Sequence, residues 1–211
     1  SDQEPYEGAI SAQVINADPA VLISSQLRSN EISFLGNADL TAARAQAVAI
    51  GGLHPAGQTE VPVLLQAAQE RRLAGDNLNA MRWTGAAVSI SDASDQWLEY
   101  ARLAASLKLK NNADKRKYNK RAYLAALNAY LRATGNGERV SALSATADLL
   151  IQSGRGRDAI PVLRLANSIQ PRSDVTVALE NAIGKYGFRI TEHRDDNNAA
   201  APRICAEFSE P

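Results

Sequence analysis

Between Ala38 and Gly187, apolar residues recur at i, i+3, i+4 and i+7 in one stretch after another, and most stretches end at glycine or proline. That period commits the chain to amphipathic helices, each of which must bury one face against a neighbour. The spacing predicts helices over 38–50, 60–74, 77–90, 93–108, 117–133, 138–153, 156–169 and 173–187. Gly51-Gly52 with His54-Pro55, Gly75, Gly135-Asn136-Gly137 and Pro171 are the expected stops. Connections this short force successive helices into antiparallel pairs.

The residues expected to face inward follow from the same period. They are Leu40, Ala43, Ala47 and Ile50; Val63, Leu64, Ala67 and Ala68; Ala80, Met81, Thr84 and Val88; Trp97, Tyr100, Ala101, Ala104 and Leu107; Leu124, Ala126, Leu127, Tyr130 and Leu131; and Val177, Ala178, Ile183 and Tyr186. Alanine is abundant while aromatic residues make up only 5%, which suits helices that approach closely. The Trp97 and Tyr100 spacing fits core packing better than an exposed peptide groove. Residues 1–36, with Pro5, Gly8, Pro19 and Gly36, read as an extended entry segment, and residues 37–187 as a helical-repeat domain.

At the other end the pattern changes. Ile204, Ala206 and Phe208 alternate with Arg203, Cys205, Glu207 and Ser209, the period of a half-buried strand. Residues 188–211 are therefore expected to be a linker and the cut-off first strand of a following β-sandwich domain. The fold class expected is all-α, antiparallel helix hairpins stacked as a short solenoid, with a short β segment at the C-terminus.

Charge narrows the function classes. The 23 basic and 23 acidic residues cancel, which argues against a globally basic nucleic-acid binder. Locally the balance is uneven: Asp2, Glu4, Glu7, Asp18, Glu31, Asp39 and Glu60 make the first sixty residues acidic. Lys108, Lys110, Lys115, Arg116, Lys117, Lys120 and Arg121 form a basic run that is the candidate interaction surface. That run reads as a solvated inter-helix connection with snorkelling lysines, or alternatively as a surface for an acidic partner. A salt-sensitive association with the acidic N-terminal sixty residues is a further reading.

No apolar run reaches the roughly 20 residues that span a bilayer, so membrane contact is expected only through an anchor outside this chain. His54 beside Pro55 and His193 in a polar stretch stand in no metal-ligand spacing, and Cys205 has no second cysteine to pair with. Gly135-Asn136-Gly137 and Gly154-Arg155-Gly156 lack the Gly-Lys-Ser/Thr ending of a phosphate loop and read as hairpin turns. No nucleophile elbow or positioned carboxylate pair is legible, so catalytic, metal and cofactor residues are all expected to be none.

Residues 140–173 carry a more specific spacing. Leu143, Ala147, Leu150, Gly154, Ala159, Leu163, Ala166 and Pro171 resemble the signature of a tetratricopeptide repeat, with Leu143 for its usual Trp and Leu163 for its usual aromatic. Trp97, Tyr100, Ala101 and Ala104 with Ala126, Tyr130 and Ala133 give a looser match whose connection is about a dozen residues too long for a strict array. The terminal run from Phe188, above all Ala201-Pro202-Arg203-Ile204-Cys205-Ala206-Glu207-Phe208-Ser209-Glu210-Pro211, resembles the stretch leading into the first macroglobulin domain of bacterial alpha-2-macroglobulin-like proteins.

That resemblance implies an envelope protease inhibitor located in the periplasm or cell envelope. Its remaining domains would be this segment's partners, and envelope proteins or proteases would be met through the parent. The segment would be a non-catalytic spacer or docking module within it. The alternative is a stand-alone peptide- or protein-binding adaptor using the basic surface. Such proteins often carry a Cys-x-Glu-Gln thioester, but Cys205 is followed by Ala206, Glu207 and Phe208, so Cys205 is not expected to inherit that role.

Overall fold

The computed structural model describes residues 19–187, 190–196 and 203–208. Among these, nine α-helices follow one another: α1 (Pro19–Glu31), α2 (Asn37–Leu53), α3 (Val61–Leu73), α4 (Asn77–Ser91), α5 (Ser94–Ala105), α6 (Asn112–Arg132), α7 (Asn136–Gln152), α8 (Gly156–Ile169) and α9 (Ser173–Tyr186). From α3 onward each helix packs against the next. The helices of the α3–α4, α5–α6 and α7–α8 hairpins stack side by side, with α5 also touching α7. The result is a helical-repeat-like stack with one main core.

The signature positions of the repeat are buried. Leu143, Ala147, Ala159 and Ala166 have no exposed surface, and Leu150 and Leu163 are at 1%. Small residues let α7 and α8 approach, and each large side chain between them contributes about 1.5–3 kcal/mol on burial. Gly154 turns the chain at φ +79°, where a side chain would be strained. Trp97 and Tyr100 are fully buried and meet edge to face, with ring centroids 6.2 Å apart.

The N-terminal expectation is corrected. Residues 19–31 are helical rather than extended, and Ser33–Leu35 add a 3₁₀ turn. Pro19 opens α1, where a missing N–H costs nothing, so it marks a helix start and not an interruption. Ile32 and Leu35 are buried, and α1 packs on α6.

Several boundaries and faces also move. Gly51 and Gly52 lie inside α2, which runs on to Leu53. A Cβ at Gly51 would stand 3.6 Å from the Ser89 Cβ of α4, so a small residue lets α2 lie close to α4. The polar connection expected before residue 117 is shorter: α6 starts at Asn112, because the Asn111 side chain caps it by accepting from the Ala113 N–H at 2.7 Å. Val63, Val177 and Ile183, expected inside, are exposed. On α9 the buried face is set by Val175 and Ala182, seven residues apart, with Tyr186 against the core from one flank.

Helix α2 has no counterpart in the hairpin series. It packs on both α4 and α6, and it is fastened by polar groups rather than by an apolar stripe alone. Gln46 donates to the Arg121 carbonyl at 2.9 Å, and Asn128 donates to the Ala43 carbonyl at 2.8 Å and to Gln46 Oε1 at 3.2 Å. Gln46 and Asn128 have no exposed surface, so these bonds replace water that neither group can reach.

After α9, the backbone of β1 (Ile190–Asp196) pairs antiparallel with β2 (Arg203–Phe208). His193, expected in a linker, lies within β1. Residues 1–18, 188–189, 197–202 and 209–211, on which parts of the expected entry segment, linker and strand fall, lie outside the described residues.

Candidate functional site

The basic run is placed mainly on a helix that outgrows its neighbours. Helix α6 has 21 residues and its hairpin partner α5 has 12, so at 1.5 Å per residue α6 is longer by about 14 Å. Its buried residues run without interruption from Ala122 to Leu131, and its first turns are solvated. Lys115, Arg116 and Lys120 are exposed there, and Lys117 and Arg121 are half-buried. Lys108 and Lys110 lie on the connection before α6.

Arg116 and Lys120 line one wall of a cleft of about 430 Å³. Asn119, Tyr123 and Leu124 continue that wall along the same face of α6, as the i, i+3, i+4, i+7, i+8 spacing requires. Leu150, Gln152 and Ser153 from the end of α7 and Arg155 from the following turn form the other, while Asp39 from the start of α2 also lines the cleft. Lys108, Lys110, Lys115, Lys117 and Arg121 do not line it. Arg121 instead lies 5.0 Å over the Tyr118 ring.

Arg155 is the residue that sequence reasoning missed, because Gly154-Arg155-Gly156 was legible only as a turn. Its guanidinium donates to Asp39 at 2.9 Å and to Asp158 at 2.7 Å, and it stands 5.4 Å from the Tyr123 ring centre. The Tyr123 hydroxyl donates to the same Asp39 carboxylate at 2.7 Å. Burial and the bond to Asp39 together push the Tyr123 phenol far above its ordinary value, so it stays a donor. Asp39 is thus already engaged by a phenol and a guanidinium. Arg116 and Lys120 add two further cationic side chains to the lining of the cleft.

A second arrangement of the same kind lies seven residues along α6. The Tyr130 hydroxyl donates to Glu31 at 2.6 Å, Arg139 donates to the other carboxylate oxygen at 2.7 Å, and Arg28 to the first at 3.3 Å. Burial would raise the Glu31 carboxyl, but the Tyr130 bond and the two arginines outweigh it and hold the group below its usual value. Burial and Glu31 push Tyr130 up to about 12. Two acidic residues at the ends of α1 and α2 therefore clamp those elements to α6 and to the turns around α7.

A smaller recess of about 270 Å³ lies between α5 and α7, lined by Ala101, Arg102, Ala105, Ala145, Asp148 and Leu149 among others. Burial raises Asp148 there. His54 lines neither of these two clefts. It is 8% exposed, shares a 2.9 Å hydrogen bond with the Tyr100 hydroxyl, and packs on Gly85. Among the described residues no group of three or more His, Cys, Asp or Glu side chains could hold a metal ion. No helix among them is long and apolar enough to cross a membrane.

This geometry defines the class as a stack of helical hairpins with a polar, cation-walled cleft. No family model matches the chain, and neither a curated protein nor a solved structure matches it.

Proposed function

We propose that this chain is a non-catalytic helical-repeat module that spaces and docks the N-terminal region of a bacterial alpha-2-macroglobulin-like envelope protease inhibitor. In this reading its partners are the remaining domains of the same polypeptide, and its place is the periplasm or cell envelope. The observation that carries the docking role is the end of the stack. Terminal helices of a free-standing solenoid present polar outer faces, whereas α9 leaves Val177 at 54% and Ile183 at 39% exposed immediately before residues 188–211. A β-rich domain entered through residues 188–211 would cover that surface, with β1 and β2 as its lead-in. Cys205 takes no covalent part, since Phe208 stands where the thioester motif places its glutamine.

The test is the polypeptide that follows Pro211 in the parent gene. A series of β-sandwich domains is the expected result, and a stop codon at that point would overturn the reading.

The cleft gives one specific reason to keep a second reading, a peptide- or protein-binding adaptor working through its basic surface. Reversing Lys115, Arg116 and Lys117 to glutamate would then abolish salt-dependent capture of an acidic peptide. Capture unchanged by the reversal would remove that reading.

A further inference from the structure

Asn136-Gly137 is the one asparagine–glycine pair in the sequence, and it opens α7 at an exposed position. In such a pair a backbone amide reaches the preceding side chain readily, because glycine has no Cβ to hinder the approach. The Gly137 nitrogen is placed for that attack. The Arg139 N–H donates to the Gly135 carbonyl at 3.1 Å, so Gly137, two residues earlier, is among the first-turn amides that have no helical acceptor. The Glu138 carboxylate accepts from the Thr134 and Gly135 amides, at 2.8 and 3.3 Å, and not from Gly137. Bringing the Asn136 side chain onto that nitrogen unwinds only the end of α7, where helices fray.

What surrounds Asn136 gives the reaction a consequence. Its side-chain oxygen accepts from Arg139 at 3.4 Å, while the same guanidinium donates to Glu31 at 2.7 Å and so holds the end of α1. Arg139 is only 14% exposed, so solvent screens these contacts poorly. An amide at 136 is a neutral acceptor and leaves Glu31 the stronger claim. A carboxylate there would be charge-assisted as well, roughly twice as strong an acceptor as the amide.

We propose that Asn136 is a site of spontaneous deamidation, and that the carboxylate it gains competes with Glu31 for Arg139 and loosens α1. The Gly137 nitrogen bonds to the Asn136 Cγ, and the side-chain nitrogen departs as ammonia, taking up the Gly137 N–H proton. The product is a five-membered succinimide. Water then adds to one of its two carbonyls and opens the ring, leaving aspartate or isoaspartate at position 136. Water is the only co-reactant, and no electrons are transferred. The proposal is independent of the spacer reading.

Incubation of the intact chain in warm, mildly alkaline buffer, followed by peptide mapping, tests the first half. The peptide holding Asn136 should gain the mass that replaces an amide by an acid and split into aspartyl and isoaspartyl forms. It should do so at least about tenfold faster than the peptide holding Asn167, which precedes a serine, since a side chain after the asparagine hinders closure. Gly137→Ala should slow the conversion about tenfold for the same reason, and the fold accepts it, because a Cβ there meets nothing within 4 Å. Hydrogen exchange tests the second half: in Asn136→Asp, amides of residues 24–31 should exchange about two- to fivefold faster, the range for weakening one partly exposed ion pair. Conversion at Asn136 no faster than at Asn167, or as fast in Gly137→Ala, would overturn the proposal. Exchange in α1 unchanged or slowed by Asn136→Asp would overturn it equally.

Discussion

His54 and Gly85 are each explained by the other. A Cβ at Gly85 would fall 2.3 Å from the His54 ring and 2.9 Å from the Tyr100 ring, so the glycine is the hollow that lets a buried imidazole reach the Tyr100 hydroxyl. Gly85→Ala should cost about 1–3 kcal/mol by overpacking, visible as a lower thermal midpoint. His54 also gives the fold a pH dependence. Burial, with Arg121 and Arg82 nearby, lowers its pKa to about 4 from the ordinary histidine value of 6.5. Above pH 6.5 both folded and unfolded chains hold it neutral and it contributes nothing. As pH falls towards 4, the unfolded chain takes up a proton that the folded one refuses, so stability drops by a total of about 3 kcal/mol. Denaturant unfolding between pH 7.5 and 4.5 should show that loss, and His54→Gln should flatten this part of the slope. An unchanged slope would mean that other groups carry the acid sensitivity. Neither role was legible in the sequence, where His54 beside Pro55 reads as a turn and an isolated glycine in a helix carries no record of what packs on it.

At the scale of elements, the apolar periodicity located α2 to α9 because local spacing and tertiary burial agree there. Leu143, Ala147, Ala159 and Leu163 are expected inside and are inside. The period misassigned a face where one neighbour decides it alone: α9 packs on α8 and hides Val175 and Ala182 rather than Val177 and Ile183. Helix α1 and the fastening of α2 were the least legible, since polar ties between distant residues leave no periodic trace. Gln46 and Asn128 are 82 positions apart, and Tyr123 and Arg155 lie 84 and 116 positions from Asp39. Asn128→Ala should therefore cost about 1–3 kcal/mol, because it strands the Ala43 carbonyl and Gln46 away from water. Hydrogen exchange should show the loss first in α2. The basic start of α6 predicts the opposite sign: Lys115→Glu should stabilise by about 0.5 kcal/mol in low salt, by complementing the helix terminus. A destabilised variant would show that Lys115 has a carboxylate partner in the folded chain.

For the whole molecule, the cation-walled cleft required three elements to come together. The sequence exposed Arg116 and Lys120 as part of a charged run, but Asp39, Tyr123 and Arg155 join them only because α2 lies across α6 and the α7–α8 turn lands beside it. The central claim is that the stack is a spacer that docks to β-rich domains of its own polypeptide. A structure of the intact parent chain by electron cryomicroscopy tests that claim most directly. The account predicts β-sandwich domains after residue 211, with Val177 and Ile183 of α9 covered by the first of them. A helical stack that stands free of such domains, or one with α9 still bare to solvent, would contradict it.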